Sequence, residues 1–420
     1  MQTYKFRYPI IILLLSSYLL VNFSCGHSSS KSNGLKRIQL GNKKNAFDLK
    51  ASDIESRDEY DINDLFDSIR YIPLQTTRES LFSQINQMEV TKNYIVIRDD
   101  ATKSILVFEK NGTFKFRLKS KQIDGFTIDD AKDHIVFIDK LLQKTFTYDF
   151  KGQLISVKKP KFDYVGIAHL GPNLTAYYRF FFPANDLEKF NNFNIVVSDD
   201  SGIVKKAFLP YDTAVVNYTE IGNSPKSFYK SNKNVYFIQP DDYKIFYNLD
   251  NSILPDYFTI NLPEKNTLPE DFLTNEKYYN KRWRYLKDNP YQTRLIMNLY
   301  IIDSLMSFEV SASEWNDIFL YDIKKKKAIS VFNFLSGPKN NYLPPGLHFL
   351  AADDKCFYRS VSAKQLFEPR QAHQTQLSYA TLPKEMKLFY DTQNNLSNPV
   401  VIQLFPKKTL IGLKNKRRNS

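Results

Sequence analysis

Glycine is scarce in this chain, 13 among 420 residues, so tight turns cannot rest on glycine alone and must also use Asn, Asp, Lys and Ser. Cysteine is scarcer still: Cys25 and Cys356 are the only two, too few for a disulfide framework. Familiar catalytic signatures are missing. There is no Gly-x-Ser-x-Gly elbow, His-Glu-x-x-His pair, phosphate-binding loop or Gly-x-Gly-x-x-Gly turn. The five histidines, His27, His134, His169, His348 and His373, are widely spaced without metal-ligand rhythm, so neither a metal nor a cofactor is expected. No nucleic-acid motif is visible either. Aromatic residues are plentiful, 27 Tyr and 33 Phe, and the chain is 42% hydrophobic, which excludes wholesale disorder and favours strands.

The first residues read as an export signal. Lys5 and Arg7 precede Pro9–Val21, an apolar stretch of signal-peptide length that falls short of the roughly 20 residues of a spanning helix. Ser24-Cys25 then resembles a lipobox, with Asn22 where Leu is usual. We expect residues 1–24 to be a lipoprotein signal peptide and Cys25 to carry the lipid; the alternatives are an ordinary signal peptide or an uncleaved anchor. Residues 25–60 are expected to be a polar tether, beginning at His27–Gly34, and an N-terminal extension. Cys356, in the strand-like run Lys355–Tyr358, is expected to be a buried core residue. The formal charge is +13; Lys324–Lys327 and a basic tail over residues 409–420 contribute locally, as a solvated turn and terminus or as an attraction to anionic lipid or polysaccharide.

A repeat organises the rest. Tyr94–Leu118 and His134–Lys158 align without a gap, each with three strands and an X-Gly turn, and Asn111-Gly112 and Lys151-Gly152 lie 40 residues apart. Related hairpins recur in Asn194–Leu209, Asn234–Leu262 and Asp317–Phe334. Inner strands are expected at Ile85–Val90, Gly125–Ile128, Val165–Leu170, Ser227–Lys230 and Leu305–Val310. A sixth unit is split. Leu347–Ala351, Lys355–Val361 and Pro399–Phe405 are expected to be joined by Arg70–Gln75 from the N-terminal side. A period near 40 with several strands per unit predicts an all-β, six-bladed β-propeller over residues 61–408. Two segments exceed the period. Tyr177–Phe190 lengthens the third unit, and residues 264–298 read as a short helical insertion between the fourth and fifth blades.

The insertions carry the candidate binding residues. Tyr178 and Arg179 stand in the first, and Tyr279, Arg282, Trp283 and Arg284 in the second. Aromatic faces stack on sugars, lipidic or peptide groups and arginines add directed donors; the competing account is packing of the insertion on the propeller. Tyr279 and Trp283, four apart, are expected on one helical face. His169 and His348 fall in inner-strand candidates and could face the channel. The acidic pairs Asp99-Asp100, Asp129-Asp130, Asp199-Asp200, Asp241-Asp242 and Asp353-Asp354 lie in separate turns and are expected to stabilise them rather than to hold Ca²⁺.

Asp64–Thr76 resembles the opening segment of the Bacteroides-type six-bladed β-propeller lipoproteins, Ser104–Gly112 is similar to their first hairpin, and Asn398–Val401 to their closing strand. The likeness covers Asp61–Lys408 and departs at Lys119–Gly125, where that family commonly has a Gly-rich linker beside the propeller mouth. It implies the fold and an outer-membrane lipoprotein. No acidic cluster follows Cys25, which points to the periplasmic side rather than the cell surface. Asp67-Ser68-Ile69, Asp212-Thr213-Ala214 and Asp303-Ser304-Leu305 look like O-glycosylation acceptors of such bacteria. The expected role is non-enzymatic binding or scaffolding with a glycan, a peptide or an envelope protein as partner. The alternative is a carbohydrate-active hydrolase or lyase with its site at the channel mouth.

Overall fold

Short strands joined by Asp- and Asn-bearing turns dominate the computed structural model. It describes residues 41–407 apart from 56–59, 160–161, 183–189, 223, 225, 232–233, 251–253, 332–333 and 373–378. Cys25, His27, His373 and the basic tail lie outside the described residues. Six four-stranded antiparallel blades follow one another. Blade 1 comprises Gln87–Val90, Tyr94–Asp99, Ser104–Glu109 and Phe114–Lys119. Blade 2 comprises Ile123–Asp129, His134–Asp139, Lys144–Asp149 and Leu154–Lys158. Blade 3 comprises Gly166–Gly171, Leu174–Tyr178, Phe193–Asp199 and Val204–Pro210. Blade 4 comprises Phe228–Ser231, Asn234–Ile238, Lys244–Tyr247 and Asp256–Asn261. Blade 5 comprises Leu295–Ile302, Leu305–Ser311, Asn316–Asp322 and Lys327–Ser330. Blade 6 joins Ala351–Ala352, Phe357–Val361 and Val400–Pro406 to Phe66–Pro73, so the ring closes with strands from both ends of the domain.

Middle strands are covered by neighbouring blades on both faces. In blade 1, Ile95, Val96 and Ile97 are all buried, as are Ile105 to Phe108, which is why these strands are apolar runs rather than alternating ones. The turns behave as their residues suggest. Gly112 sits at φ +90, and a side chain there would strike the Pro73 carbonyl of the closing strand, so this turn needs glycine twice over. In four of the acidic pairs the first carboxylate accepts a backbone N–H of its own turn: Asp99 from Thr102, Asp129 from Ala131, Asp199 from Ser201 and Asp353 from Lys355. Asp241 instead pairs with Arg294 at 2.9 Å. Cys356 is buried, and burial pushes its thiol up to about 12.

Four expectations change. Leu305–Val310 is the second strand of blade 5, not the innermost; that place belongs to Leu295–Ile302, at the end of the segment read as a helical insertion. A strand buried on both faces carries a nearly continuous apolar run, which periodicity alone cannot separate from helix. Tyr177 and Tyr178 are not inserted residues but the end of the second strand of blade 3. Within Glu276–Leu286 the helix is only Arg282–Asp288, preceded by a single turn Glu276–Tyr278; Tyr279 is extended at its end, so it does not share a helical face with Trp283. Finally, Asn42–Asp48 of the N-terminal extension is a strand that pairs in parallel with Asp256–Asn261 and widens blade 4 to five strands. Two helices, Ala363–Ala372 and Lys384–Thr392, interrupt blade 6 and were not foreseen. No helix among the described residues is long and apolar enough to cross a membrane.

Candidate functional site

The innermost strands line the central channel, and their channel-facing edges would be free to pair with another chain. Side chains of neighbouring blades occupy several of these groups. The Gln87 amide accepts from Phe126 N at 3.2 Å and donates to Phe126 O at 2.6 Å. His169 N donates to Thr127 Oγ1 at 3.3 Å. Ser231 Oγ accepts from Ile301 N at 2.8 Å and donates to Ile301 O at 2.6 Å. The blades are thus stitched around the channel without a continuous ladder.

A cavity of about 580 Å³ opens where the inner strands of blades 1 to 4 begin. Its polar wall comes from blades 1 and 2. Arg98 is held in place by Asp100, with Nε 2.9 Å from Oδ1, and donates through Nη1 to the Asp124 carbonyl. Lys140 stands 3.5 Å from Asp124, and exposed Lys103 reaches the same rim. The opposite wall is apolar and aromatic, with Val165, Ile167, Tyr178, Phe180 and Phe228. Phe180 and Phe181 both adopt positive φ, +54 and +59, a conformation disfavoured for bulky residues that persists only where the surroundings impose it. Arg179 imposes it from behind, donating to the carbonyls of Phe182 and Asn191 at 3.1 and 2.5 Å, while Phe181 N donates to Asn194 Oδ1 at 2.7 Å.

Lys226 lies at the inner end of the cavity and also lines a smaller one, about 260 Å³, at the far ends of the inner strands. Its ammonium is 4.0 Å from Glu89 Oε1, and both side chains are nearly buried. Burial pulls the lysine below its ordinary range and pushes the Glu89 carboxyl up, each effect opposed by the partner's charge. Glu89 Oε1 also accepts from Gln87 Nε2 at 3.2 Å; Oε2 is buried with no hydrogen-bond partner among the described residues. The smaller cavity is acidic, with Glu89, Asp130, Asp353 and Asp354 against Lys226 and Lys230.

The two histidines expected in inner strands differ: His169 lies in the inner strand of blade 3, whereas His348 precedes that of blade 6. His169 Nε2 lies 3.1 Å from Asp129 Oδ1, yet burial holds its pKa below the ordinary value. His348 Nδ1 lies 2.9 Å from Glu309 Oε2, and that hydrogen bond raises its pKa. A raised pKa contributes stability that is fully present below the unfolded value of about 6.5 and is lost as pH climbs through the folded one. With the His348 side chain 52% exposed, screening leaves on the order of half a kcal/mol. Melts of wild type and His348→Gln should therefore differ at about pH 5.5 and converge at alkaline pH. A gap that stays constant across that range would contradict the pairing.

The structure scatters the six candidate binding residues. Tyr178 lines the cavity, and its buried hydroxyl has no hydrogen-bond partner among the described residues. Arg179 and Arg282 are fully buried against the chain's own groups; Arg282 meets Glu220 at 3.4 Å and the Val215 and Phe272 carbonyls at 3.0 and 3.1 Å. Both guanidiniums are turned to acceptors of the chain itself, which a buried cation needs: backbone carbonyls for each, and Glu220 as well for Arg282. Trp283 is 55% exposed, donates to Thr219 O at 3.2 Å and carries the Arg294 guanidinium 4.5 Å above its ring. Arg284 is exposed and Tyr279 half-buried. Residues 279 and 282–284 do not line the cavity. Sequence reasoning missed Glu89, Arg98 and Lys226. The available signal was a charge beside or within an apolar inner-strand candidate, as in Gln87-Met88-Glu89-Val90.

Six blades closed by an N-terminal strand around a channel with a polar mouth define a closed six-bladed β-propeller. The chain belongs to the DUF4934 family, a domain of unknown function whose pattern matches residues 44–404. Its fold is similar to that of a protein from Bacteroides fragilis described as exported, at 17% identity and TM-score 0.63, over 88% of this chain and 99% of that one. It is also similar to a DUF4221-family member from Bacteroides vulgatus, at 11% identity and TM-score 0.45, over 81% and 97% of the two chains. No curated protein matches.

Proposed function

We propose that this protein is an exported, lipid-anchored propeller of the outer membrane, on its periplasmic side, that binds a small ligand at the mouth formed by blades 1 to 4. The observation that carries the reading is the cavity itself. About 580 Å³ falls within the range of small-molecule sites, and the cavity pairs an aromatic wall with a few fixed polar groups. The anchor rests on Cys25 after its apolar leader. Exposed Trp283 and Arg284, with Tyr279, offer an accessory surface for a glycan, a peptide or a partner protein. A second reading, a hydrolase or lyase acting on carbohydrate, is favoured by Asp100 and Asp124 facing one cavity. Both carboxylates are engaged by cations, Arg98 and Lys140, which supports binding over catalysis.

Two measurements test this. Labelled palmitate should enter the wild type and not Cys25→Ser; equal labelling of the two ends the anchor claim. For the mouth, a Cβ at Gly125 would meet only the ends of Arg98 and Gln87, at 3.8 and 3.9 Å, so Gly125→Phe should place a ring in the cavity without backbone strain. A saccharide and dipeptide panel is screened by thermal shift on the full protein. A ligand at about a hundred times its Kd adds about 2.7 kcal/mol and raises the melting temperature. Gly125→Phe should melt like wild type and lose the shift. A shift retained in Gly125→Phe would move the site elsewhere, and consumption of the ligand would establish the second reading.

A further inference from the structure

We propose that the ligand of this mouth is an anionic saccharide, about a disaccharide in size, whose oxyanion is held by Lys226 while its ring lies against the wall of Phe180 and Phe228. This rests on the reading of the mouth as a binding site and adds the chemistry of what it binds.

The charge balance comes first. Arg98, Lys103, Lys140 and Lys226 face the cavity against Asp100 and Asp124, so the lining carries an excess of cations. The chain's formal charge of +13, which includes Lys5 and Arg7 of the expected signal peptide, stays strongly positive without them and adds a field that draws anions toward such a site.

Unfilled hydrogen-bond capacity comes second, and on this cavity's lining it centres on Lys226; the unpartnered Glu89 Oε2 belongs to the smaller cavity. An ammonium carries three donors. The only charge partner of Lys226 among the described residues, Glu89, stands at 4.0 Å, beyond hydrogen-bond distance, and the Tyr229 and Tyr300 rings lie 5.5 and 5.9 Å away. The Lys226 side chain is nevertheless only 12% exposed, so bulk water is largely kept from it. On the aromatic wall the buried Tyr178 hydroxyl, without a partner among the described residues, adds a group that can donate or accept. What completes the ammonium must bring acceptors, and at a buried cation the acceptor of choice is an oxyanion.

The rest of the lining separates a saccharide from a peptide. A peptide would be held most simply by pairing with the free edge of an inner strand. At blade 2 that edge is closed, because the Gln87 amide already satisfies both N and O of Phe126. The remaining polar lining is Gln122, Ser224, Ser227 and two carboxylates, groups that exchange hydrogen bonds with hydroxyls. Phe180, driven into a left-handed conformation by Arg179 and Asn194, presents a ring of the kind on which a sugar face stacks.

Calorimetric titration of the full protein tests this with four probes: digalacturonate, a sulfated disaccharide, neutral lactose and the dipeptide Asp-Glu. One or both acidic disaccharides should bind, which also tells carboxylate from sulfate, with lactose at least about tenfold weaker. Lys226→Met should weaken the acidic probe by about ten- to a hundredfold and leave lactose unchanged, whereas Lys103→Met, at the exposed rim, should change little. Because Lys226→Met leaves Glu89 buried alone, the pair Glu89→Gln/Lys226→Met is measured beside it and should show the same loss. Lactose binding as well as the acids, indifference to Lys226, preference for Asp-Glu, or failure of both acidic disaccharides to bind would each overturn the inference. None of these touches the mouth itself as the site, which only binding that persists in Gly125→Phe would overturn.

Discussion

Deleting Val400–Phe405 should abolish the cooperative unfolding transition of the domain. This strand lies between Phe357–Val361 and Phe66–Pro73, pairing Arg359 with Ile402 on one side and Tyr71 with Ile402 on the other. Val400, Val401, Ile402 and Leu404 are completely buried. At about 1.5–3 kcal/mol for each fully buried aliphatic side chain, their loss alone is comparable to the total stability of about 5–15 kcal/mol of ordinary domains. The deletion also opens the ring and exposes two strand edges in blade 6. Asn398 beside it ties the closure to the start of the domain, donating to Gln75 O at 2.9 Å and Ser80 O at 3.0 Å and accepting from Phe82 N at 3.1 Å. Far-ultraviolet circular dichroism through a thermal melt is the measurement. A truncated protein that still melts in one sharp step, at the wild-type temperature, would show that the ring does not depend on this closure.

Arg282→Ala should destabilise the protein by about 3–5 kcal/mol, while its neighbour Trp283→Ala costs on the order of 1 kcal/mol. Arg282 is wholly buried and balances Glu220, which also accepts from Asn280 N at 2.7 Å and Arg282 N at 2.9 Å. Removing the guanidinium strands that carboxylate in the interior and frees the Phe272 and Val215 carbonyls. Trp283 is more than half exposed and gives up one long hydrogen bond, 3.2 Å, and the stacked Arg294. Denaturant melts of both variants on one preparation decide the matter. A loss above about 3 kcal/mol for Trp283→Ala would make it a packing residue and end its candidacy as a contact surface. A near-neutral Arg282→Ala would show that the Glu220 pair is dispensable.

Local signals carried much of the architecture. Asn111-Gly112 and Lys151-Gly152 mark the outer hairpins because few residues tolerate positive φ, and the Asp-bearing turns read correctly because a short carboxylate bonds its own backbone within two or three residues. The split sixth blade was legible from two apolar runs at opposite ends, Arg70–Gln75 and Pro399–Phe405, that needed partners. Where interpretation failed, the reason was contact with something distant. Leu295–Ile302 is apolar nearly throughout because neighbouring blades cover it on both faces, which removes the alternation that distinguishes strand from helix. Asn42–Asp48 is mostly polar and exposed, and becomes a strand because the outer edge of Asp256–Asn261 is there to pair with.

The candidate site divides along the same line. Residue type and spacing were sufficient for a repeating all-β ring, since turn chemistry and strand patterning act over a few neighbours. They could not say which arginine faces a ligand. Arg179 and Arg284 look alike in sequence, yet the first is enclosed by carbonyls of its own chain and the second stands in water. Nor could they bring Glu89 of blade 1 to Lys226 at the start of blade 4, residues far apart in the chain that meet only because the blades converge on one axis. Charge partners, burial and the shape of a cavity depend on which strands become neighbours, and that is settled by closure of the ring.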